Sequence, residues 1–333
     1  MNIAILNAEA GGNKGAEAML EILIIKILEE FPEANILLEV GSKIEYYKKV
    51  FLNRFSNDNI QLLYFKPKNI LKPYSVHLKN VDYAIDIGGI NFHGRSLRAS
   101  IRNLVRFKPF ITNKVKLFFF IQDIGPSEKK LHTIIWRYIL SKSEGIFTRS
   151  ESSFQQVLNN FKINKKRIFG PYPDSTLIYK SDEKYELDAL KESKYIVLTP
   201  SAIMFSIHGQ DYLQLFVNLF DNFSTKYKVL ILVHNFSLNA GNSDAILSKE
   251  LHEKCPGSFF MNDNISTGNL KSILNRAVFT ISSRYHVVVG SISQNVPSIA
   301  IGWNPKYESF VRLYDKHNWN IDYGVDTYNQ ILE

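Results

Sequence analysis

Short apolar runs alternate with longer stretches of helical period along the whole chain. NIAIL at 2–6, ILLEV at 36–40, QLLY at 61–64, YAIDI at 83–87, KLFFFI at 116–121 and GIFT at 145–148 have the length and composition of strands buried on both faces of a parallel sheet. The pattern resumes with YIVLT at 195–199, KVLILV at 228–233, SFFM at 258–261, VFTIS at 278–282 and SIAI at 298–301. Between the runs the spacing predicts helices over 15–30, 127–141, 151–161, 211–223, 244–254, 267–275 and 287–294. Strand alternating with helix argues for a doubly wound α/β architecture. A charged segment, 179–194, separates the two series and reads as a connection. The reading therefore places one Rossmann-like domain at 1–178, a linker region at 179–194 and a second Rossmann-like domain at 195–333.

Composition narrows the class further. At 333 residues the chain is long for one core and comfortable for two. Hydrophobic residues at 45% and charged residues at 22% are ordinary for a globular protein and exclude the disordered class. Lys and Arg outnumber Asp and Glu by 40 to 32, a net charge of +8, which favours anionic partners or reflects a lysine-rich composition bias. The basic residues are dispersed and form no nucleic-acid module. The single cysteine, Cys255, allows no internal disulfide, and no cysteine or histidine cluster has metal-ligand spacing. Met1 runs straight into a strand with no export signal before it, and no apolar run approaches the roughly 20 residues that span a bilayer. A cytoplasmic protein is expected, with any contact at the inner membrane surface peripheral.

Candidate chemistry gathers at the predicted strand ends, where open α/β sheets form their ligand crevices. In TISSRYHVVVGSISQNVPSIAIGWNPK, 280–306, the spacing puts 283–286 in the turn between a strand and a helix, with Arg284 and His286 at the helix N-terminus. Two cations there oppose the helix dipole, which argues for a bound anion. Lys306 follows the next strand. In the loop 7–16, Gly11, Gly12 and Gly15 would let a ligand approach the backbone, or would make a plain β-to-α turn; Asn13, Lys14 and Glu17 lie beside them. Asp86 ends a buried strand and could act as a general base or cap the next turn. His93 and Arg95 occupy the following loop. Arg149 stands between a strand and a helix start, where it could bind a neighbouring acid; Asp174 follows two prolines and could orient Arg149 or a substrate hydroxyl, or make an Asx turn; and His208 lies after the first strand of the second half.

The segment SSRYHVVVGSISQNVPSIAIGWNPKY resembles the C-terminal signature of the polysaccharide pyruvyl transferase family, with an Arg-x-His turn, a glycine-bearing helix, a Pro-initiated strand and a lysine. NAEAGGNKGAEA at 7–18, DIGGINFHG at 86–94, QDIGP at 122–126, TRSESS at 148–153 and PYPDS at 171–175 extend the similarity over most of the chain. The resemblance implies a GT-B-like fold, two doubly wound Rossmann-like domains facing a central cleft. It implies an enzyme that moves the pyruvyl group of phosphoenolpyruvate onto two hydroxyls of a cell-surface polysaccharide or its lipid-linked precursor, as a ketal. Under it Arg149, Arg284, Tyr285, His286 and Lys306 would bind the donor in the second domain, and Asn13, Glu17 and His93 the acceptor on the first. His286, Arg284 and Asp86 would be catalytic, with phosphoenolpyruvate as co-substrate and neither cofactor nor metal. Two other readings stay open at this point: a GT-B glycosyltransferase using a nucleotide sugar, and a noncatalytic glycan-binding subunit.

Overall fold

A computed structural model describes the chain except residues 41–44, 46, 56–58, 67, 70–72, 75–77, 91, 93–95, 128, 180–184, 237–242, 303–304 and 315–318, and except the side chains of 49, 50, 305, 306 and 309. It divides into two compact units, one of Met1–Ala10 with Met19–Ser175 and one of Gly11–Ala18 with Thr176–Glu333.

The first unit is a seven-stranded parallel sheet in the order β3-β2-β1-β4-β5-β6-β7. Its strands are β1 (Asn2–Leu6), β2 (Asn35–Val40), β3 (Ile60–Tyr64), β4 (Tyr83–Asp86), β5 (Lys116–Gln122), β6 (Gly145–Thr148) and β7 (Ile168–Phe169). Helices α1 (Lys14–Glu30), α2 (Leu97–Thr112), α3 (Lys130–Ser141) and α4 (Glu151–Gln155) connect them. Successive strand residues point to opposite faces. Thus Ile3 and Ile5 of β1 pack with Leu20 and Ile24 of α1, while Ala4 and Leu6 belong to the other face with Phe107, Phe119 and Trp136. Each fully buried side chain of this size contributes about 1.5–3 kcal/mol relative to exposure.

The second unit repeats the plan in a six-stranded sheet, β10-β9-β8-β11-β12-β13. Its strands are β8 (Tyr195–Thr199), β9 (Lys228–Leu232), β10 (Phe259–Met261), β11 (Thr280–Ser282), β12 (Ser298–Gly302) and β13 (Asn320–Asp322). Helices α5 (Ala202–Phe223), α6 (Ala245–Lys254), α7 (Thr267–Asn275), α8 (Tyr285–Ile292), α9 (Pro305–Arg312) and α10 (Thr327–Leu332) accompany them. In both sheets the strand order reverses beside the first strand, between β1 and β4 and between β8 and β11, which are the switch points where doubly wound folds place ligands.

Several elements depart from the sequence reading. The helix expected at 211–223 begins at Ala202, with Gly209 kinking it at φ 61° and ψ −140°, a conformation open to glycine. The helix expected from 287 starts at Tyr285, so His286 lies in its first turn and Arg284 is its N-cap. α2 was not expected; Pro109 falls inside it, although Ser96 caps its start and accepts the Ala99 N–H. The helix expected at 151–161 passes into a wider turn at Gln156–Asn160. Gly11–Ala18, expected with the first domain, groups with the second unit, because the loop bonds to the ends of β9 and β10.

Candidate functional site

In the second unit the site is built on Asp244, which precedes α6 and is fully buried. Its carboxylate accepts the Ala202 N–H at 3.0 Å and the Asn235 N–H at 3.1 Å. Arg284 Nε donates to it at 2.8 Å, and Arg284 Nη2 pairs with its other oxygen. One carboxylate thereby ties together the loops leaving β8, β9 and β11, on either side of the switch point. Burial pushes the Asp244 carboxyl up, and the Arg284 guanidinium and the two backbone donors oppose that rise. Asp244 also supplies the negative charge that the cations at the start of α8 called for, so the dipole argument made from the sequence is answered inside the fold.

His286 is half-buried and lies against Gly15: a Cβ on Gly15 would stand 2.0 Å from His286 Cγ and Nδ1. Close approach of an imidazole, rather than a positive φ, requires glycine there. The loop's own backbone donors are taken internally. Gly11 N–H reaches Glu17 Oε2 at 2.6 Å, Gly15 N–H reaches Asn13 Oδ1 at 3.0 Å and Lys14 N–H reaches the His234 carbonyl at 3.4 Å. Asn13 also forms an antiparallel bridge with Asn235. Glu17, fully buried, pairs with Lys14 Nζ at 3.1 Å.

A void of about 10 Å³ lies among Lys14, Gly15, Thr176, His234, Thr267, Lys271 and His286. That is about the least space that holds one water molecule. Among the described residues Thr267 Oγ1 finds no hydrogen-bond partner, and it lines this void. His234, missed by the sequence reading, is buried, and its imidazole is pushed well below its ordinary value by burial and then by the positive charges of His286, Arg284 and Lys14. Lys271 is buried too, its ammonium donating to the Thr176 carbonyl at 2.7 Å and to Ser293 Oγ at 2.9 Å. The second unit's strand ends thus gather cationic and imidazole groups around one small void, which Leu270 and Leu274 also line.

Tyr285 packs edge-on against Tyr307 and Phe310 in a buried aromatic cluster that also touches the His286 ring. The Tyr307 hydroxyl donates to the Ser283 carbonyl at 2.8 Å and fixes α9 beside the β11 turn. Lys306 falls in the first turn of α9, with its side chain outside the described residues. His208 lies inside α5, its ring 4.4 Å from that of Tyr323.

The first unit carries a different cluster at its own switch point. Asp86, fully buried, takes the side-chain amides of Asn7 and Gln122 on its two carboxylate oxygens. Arg149 Nε donates to Asp123 Oδ2 at 2.9 Å, its Nη2 also pairs with Asp123, and its Nη1 donates to Asp174 at 2.9 Å. Asp174, for which the sequence allowed an Asx turn or the orienting of Arg149, makes this buried ion pair with Arg149. Ser150 caps α4 and donates its hydroxyl to Asp123 at 3.0 Å. Two carboxylates stand against one guanidinium, so an incoming anion would have to displace Asp123 or Asp174 to reach Arg149. His93 and Arg95 lie outside the described residues. Among the described residues no three His, Cys, Asp or Glu side chains gather as a metal site needs, and no helix is long and apolar enough to cross a membrane.

Two sheets with the same winding, each with polar groups at its switch point, define a GT-B-like α/β fold, and solved structures agree. S. aureus MnaA in its UDP co-structure matches with a TM-score of 0.67 at 12% identity, covering 100% of this chain and 87% of that one. A putative UDP-N-acetylglucosamine 2-epimerase from Listeria monocytogenes matches with 0.65 at 10% identity, covering 99% and 86%. Arabidopsis thaliana UGT89C1 complexed with UDP matches with 0.55 at 12% identity, covering 96% and 85%. Within that class the chain belongs to the polysaccharide pyruvyl transferase family, whose model matches residues 13–305. A comparison with curated proteins finds no significant match.

Proposed function

We propose that the protein moves the pyruvyl group of phosphoenolpyruvate onto two hydroxyls of one sugar in a polysaccharide or its lipid-linked precursor. Membership of the pyruvyl transferase family over residues 13–305 is the observation that carries this reading. Electrostatics supports it. Arg284 and Lys14, held by Asp244 and Glu17, cluster with His286, His234 and Lys271 in the second unit, a set suited to a donor whose carboxylate and phosphate exchange with those side-chain carboxylates. Asp86, Asp123 and Asp174 with the amides of Asn7 and Gln122 give the first unit groups suited to a neutral, hydroxyl-rich ligand.

The chemistry balances without a cofactor. A proton adds to the methylene carbon of phosphoenolpyruvate and one sugar hydroxyl attacks the central carbon. The carbon–oxygen bond to phosphate then breaks, and the second hydroxyl closes the ketal. Of the two hydroxyl protons, one is matched by the new methyl hydrogen and the other leaves with phosphate. In this scheme His286 holds the proton destined for the methylene carbon or the departing phosphate. Arg284, fixed by Asp244, and Lys306 hold the donor's anionic groups. Asp86 remains the proposed base toward a hydroxyl, and Asn13, Glu17 and His93 the proposed acceptor contacts. The void beside His286 is far smaller than phosphoenolpyruvate, so binding the donor would have to displace the His286 ring or open the loop that carries Lys14 and Gly15.

The test is phosphate release from phosphoenolpyruvate with a panel of sugar acceptors, with mass spectrometry of the products, for wild type and His286→Ala. A product heavier by a pyruvyl ketal, absent with the variant, is expected. Transfer from a nucleotide sugar with no turnover of phosphoenolpyruvate would replace this reading with a glycosyltransferase. Glycan binding with no turnover of either donor would replace it with a binding subunit.

A further inference from the structure

α2 and α3 are the crossovers from β4 to β5 and from β5 to β6, so right-handed connections put both on one face of the first sheet. They pack side by side: the Trp136 indole N–H donates to Ser100 Oγ at 2.9 Å across their seam, and Phe107, Phe110, Trp136 and Ile139 face the core. Their outer faces leave Leu97, Ile101, Leu131, Ile134 and Tyr138 exposed, Ile134 at 63%. A lone exposed apolar residue is ordinary. Here the spacings 97 to 101 and 131, 134, 138 line up along adjoining helices, which makes a patch.

The charge on the same helices has one sign. Neither contains Asp or Glu, whereas α2 carries Arg98, Arg102, Arg106 and Lys108 and α3 carries Lys130 and Arg137. Only Arg106 turns inward, where Glu39 accepts its Nε–H at 3.0 Å. The others are exposed, and Lys129 and Lys142 flank α3. Partial burial, and then repulsion from Arg106 and Arg98 against the pull of Glu39, depresses the Arg102 guanidinium. Exposed apolar tips rimmed by cations, with no acid on either helix, are the features of a face that lies in a lipid headgroup layer. A second copy of the chain would set like charges against one another across a two-fold interface, and a dissolved polyanion would leave the apolar line unused.

We propose that the outer faces of α2 and α3 dock the protein on an anionic lipid surface, with Ile101, Leu131 and Ile134 entering the headgroup layer and Arg98, Arg102, Lys130 and Arg137 meeting its phosphates. This does not depend on the pyruvyl transfer reading. The test is co-sedimentation of the full chain with phosphatidylcholine vesicles and with vesicles holding about one third phosphatidylglycerol. Binding to the anionic vesicles should be at least about tenfold tighter. The pair Ile101→Glu and Ile134→Glu should reduce it by about tenfold or more at fixed salt, and the pair Arg98→Gln and Arg102→Gln should remove most of its salt dependence. Circular dichroism and the thermal midpoint confirm that the variants fold. As a check that needs no loss of binding, Tyr138→Trp should gain a blue-shifted emission with anionic vesicles. Equal binding to both vesicle types, wild-type binding by both pairs, or an unshifted tryptophan overturns the proposal. So does binding to inorganic polyphosphate with equal affinity and equal tolerance of the glutamates, or self-association that Ile134→Glu abolishes.

Discussion

Asp244 and Arg284 show how a residue's role depends on what the fold sets beside it. Removing one partner of a buried, hydrogen-bonded pair leaves the other charge uncompensated, which costs about 3–5 kcal/mol. Asp244→Ala should therefore destabilise by about that much in urea unfolding, because the Ala202 and Asn235 N–H groups lose their acceptor as well. Asp244→Asn, which keeps a carbonyl acceptor, should cost less; equal losses would mean that the charge carries the whole effect and the neutral acceptor restores none of it. At Gly15 a methyl group would overlap the His286 ring and its Cβ, 2.6 Å away, so Gly15→Ala should displace His286, abolish turnover and cost about 1–3 kcal/mol. His234 gives a pH dependence of definite sign. Its folded-state value lies well below the ordinary 6.5, so the unfolded chain takes up a proton near pH 6.5 that the folded chain refuses. This contribution is intact above that pH and is lost as pH falls from there toward the folded-state value. Between pH 7.5 and 5.5 the urea midpoint should fall less in His234→Gln than in wild type; parallel declines would remove His234 from the account.

At the scale of elements, α7 and α8 hold the cationic site. Ser266 Oγ accepts the Asn269 N–H at 3.0 Å and caps α7, while Lys271, one turn on, ties α7 to the turn at Ser175–Ile178 and to the end of α8. Ser266→Ala should cost about 1 kcal/mol. Lys271→Met, which removes a buried donor from two carbonyls and a hydroxyl, should cost about 1–3 kcal/mol or more, read from thermal and urea unfolding. A smaller loss at Lys271 than at Ser266 would mean that water replaces the ammonium. Most elements were legible because buried parallel strands are short apolar runs, and the observed β1, β2, β6 and β8 begin and end within a residue of the sequence reading. The departures have physical causes. Pro109 interrupts the helical signal of α2 without breaking the helix, and β7 and β13 are too short to show a period. α8 starts at Tyr285, two residues earlier than the sequence reading, with its N-cap Arg284 held by Asp244.

For the whole molecule, each unit has its own two-faced core, yet Gly11–Ala18 belongs by its contacts to the second. The Phe236 N–H donates to the Gly12 carbonyl at 2.9 Å and Asn264 Nδ2 to the Gly11 carbonyl at 3.1 Å, alongside the Asn13 and Asn235 bridge. The piece Thr176–Glu333 made alone should therefore melt at a lower temperature, and a peptide spanning residues 9–20 should raise its midpoint by mass action. A midpoint indifferent to the peptide would sink this assignment. For the full chain, phosphoenolpyruvate at about 100 times its dissociation constant should add about 2.7 kcal/mol of stability, and His286→Ala and Arg284→Ala should reduce that gain.

The amino-acid sequence by itself determined the class of fold, the order of strands and helices and the family, because strand and helix periods and the Arg-x-His signature are local patterns read within a few residues. It did not determine partners far apart in the chain. Arg284 called for an anion, and Asp244, forty positions earlier, meets it; Arg149 could serve a donor or a neighbouring acid, and the fold pairs it with Asp123 and Asp174; Gly15 could serve a ligand or a plain turn, and the His286 ring rests on it. Buried charges must be compensated and packed atoms must not overlap, and both conditions are met only by side chains that the tertiary fold brings together.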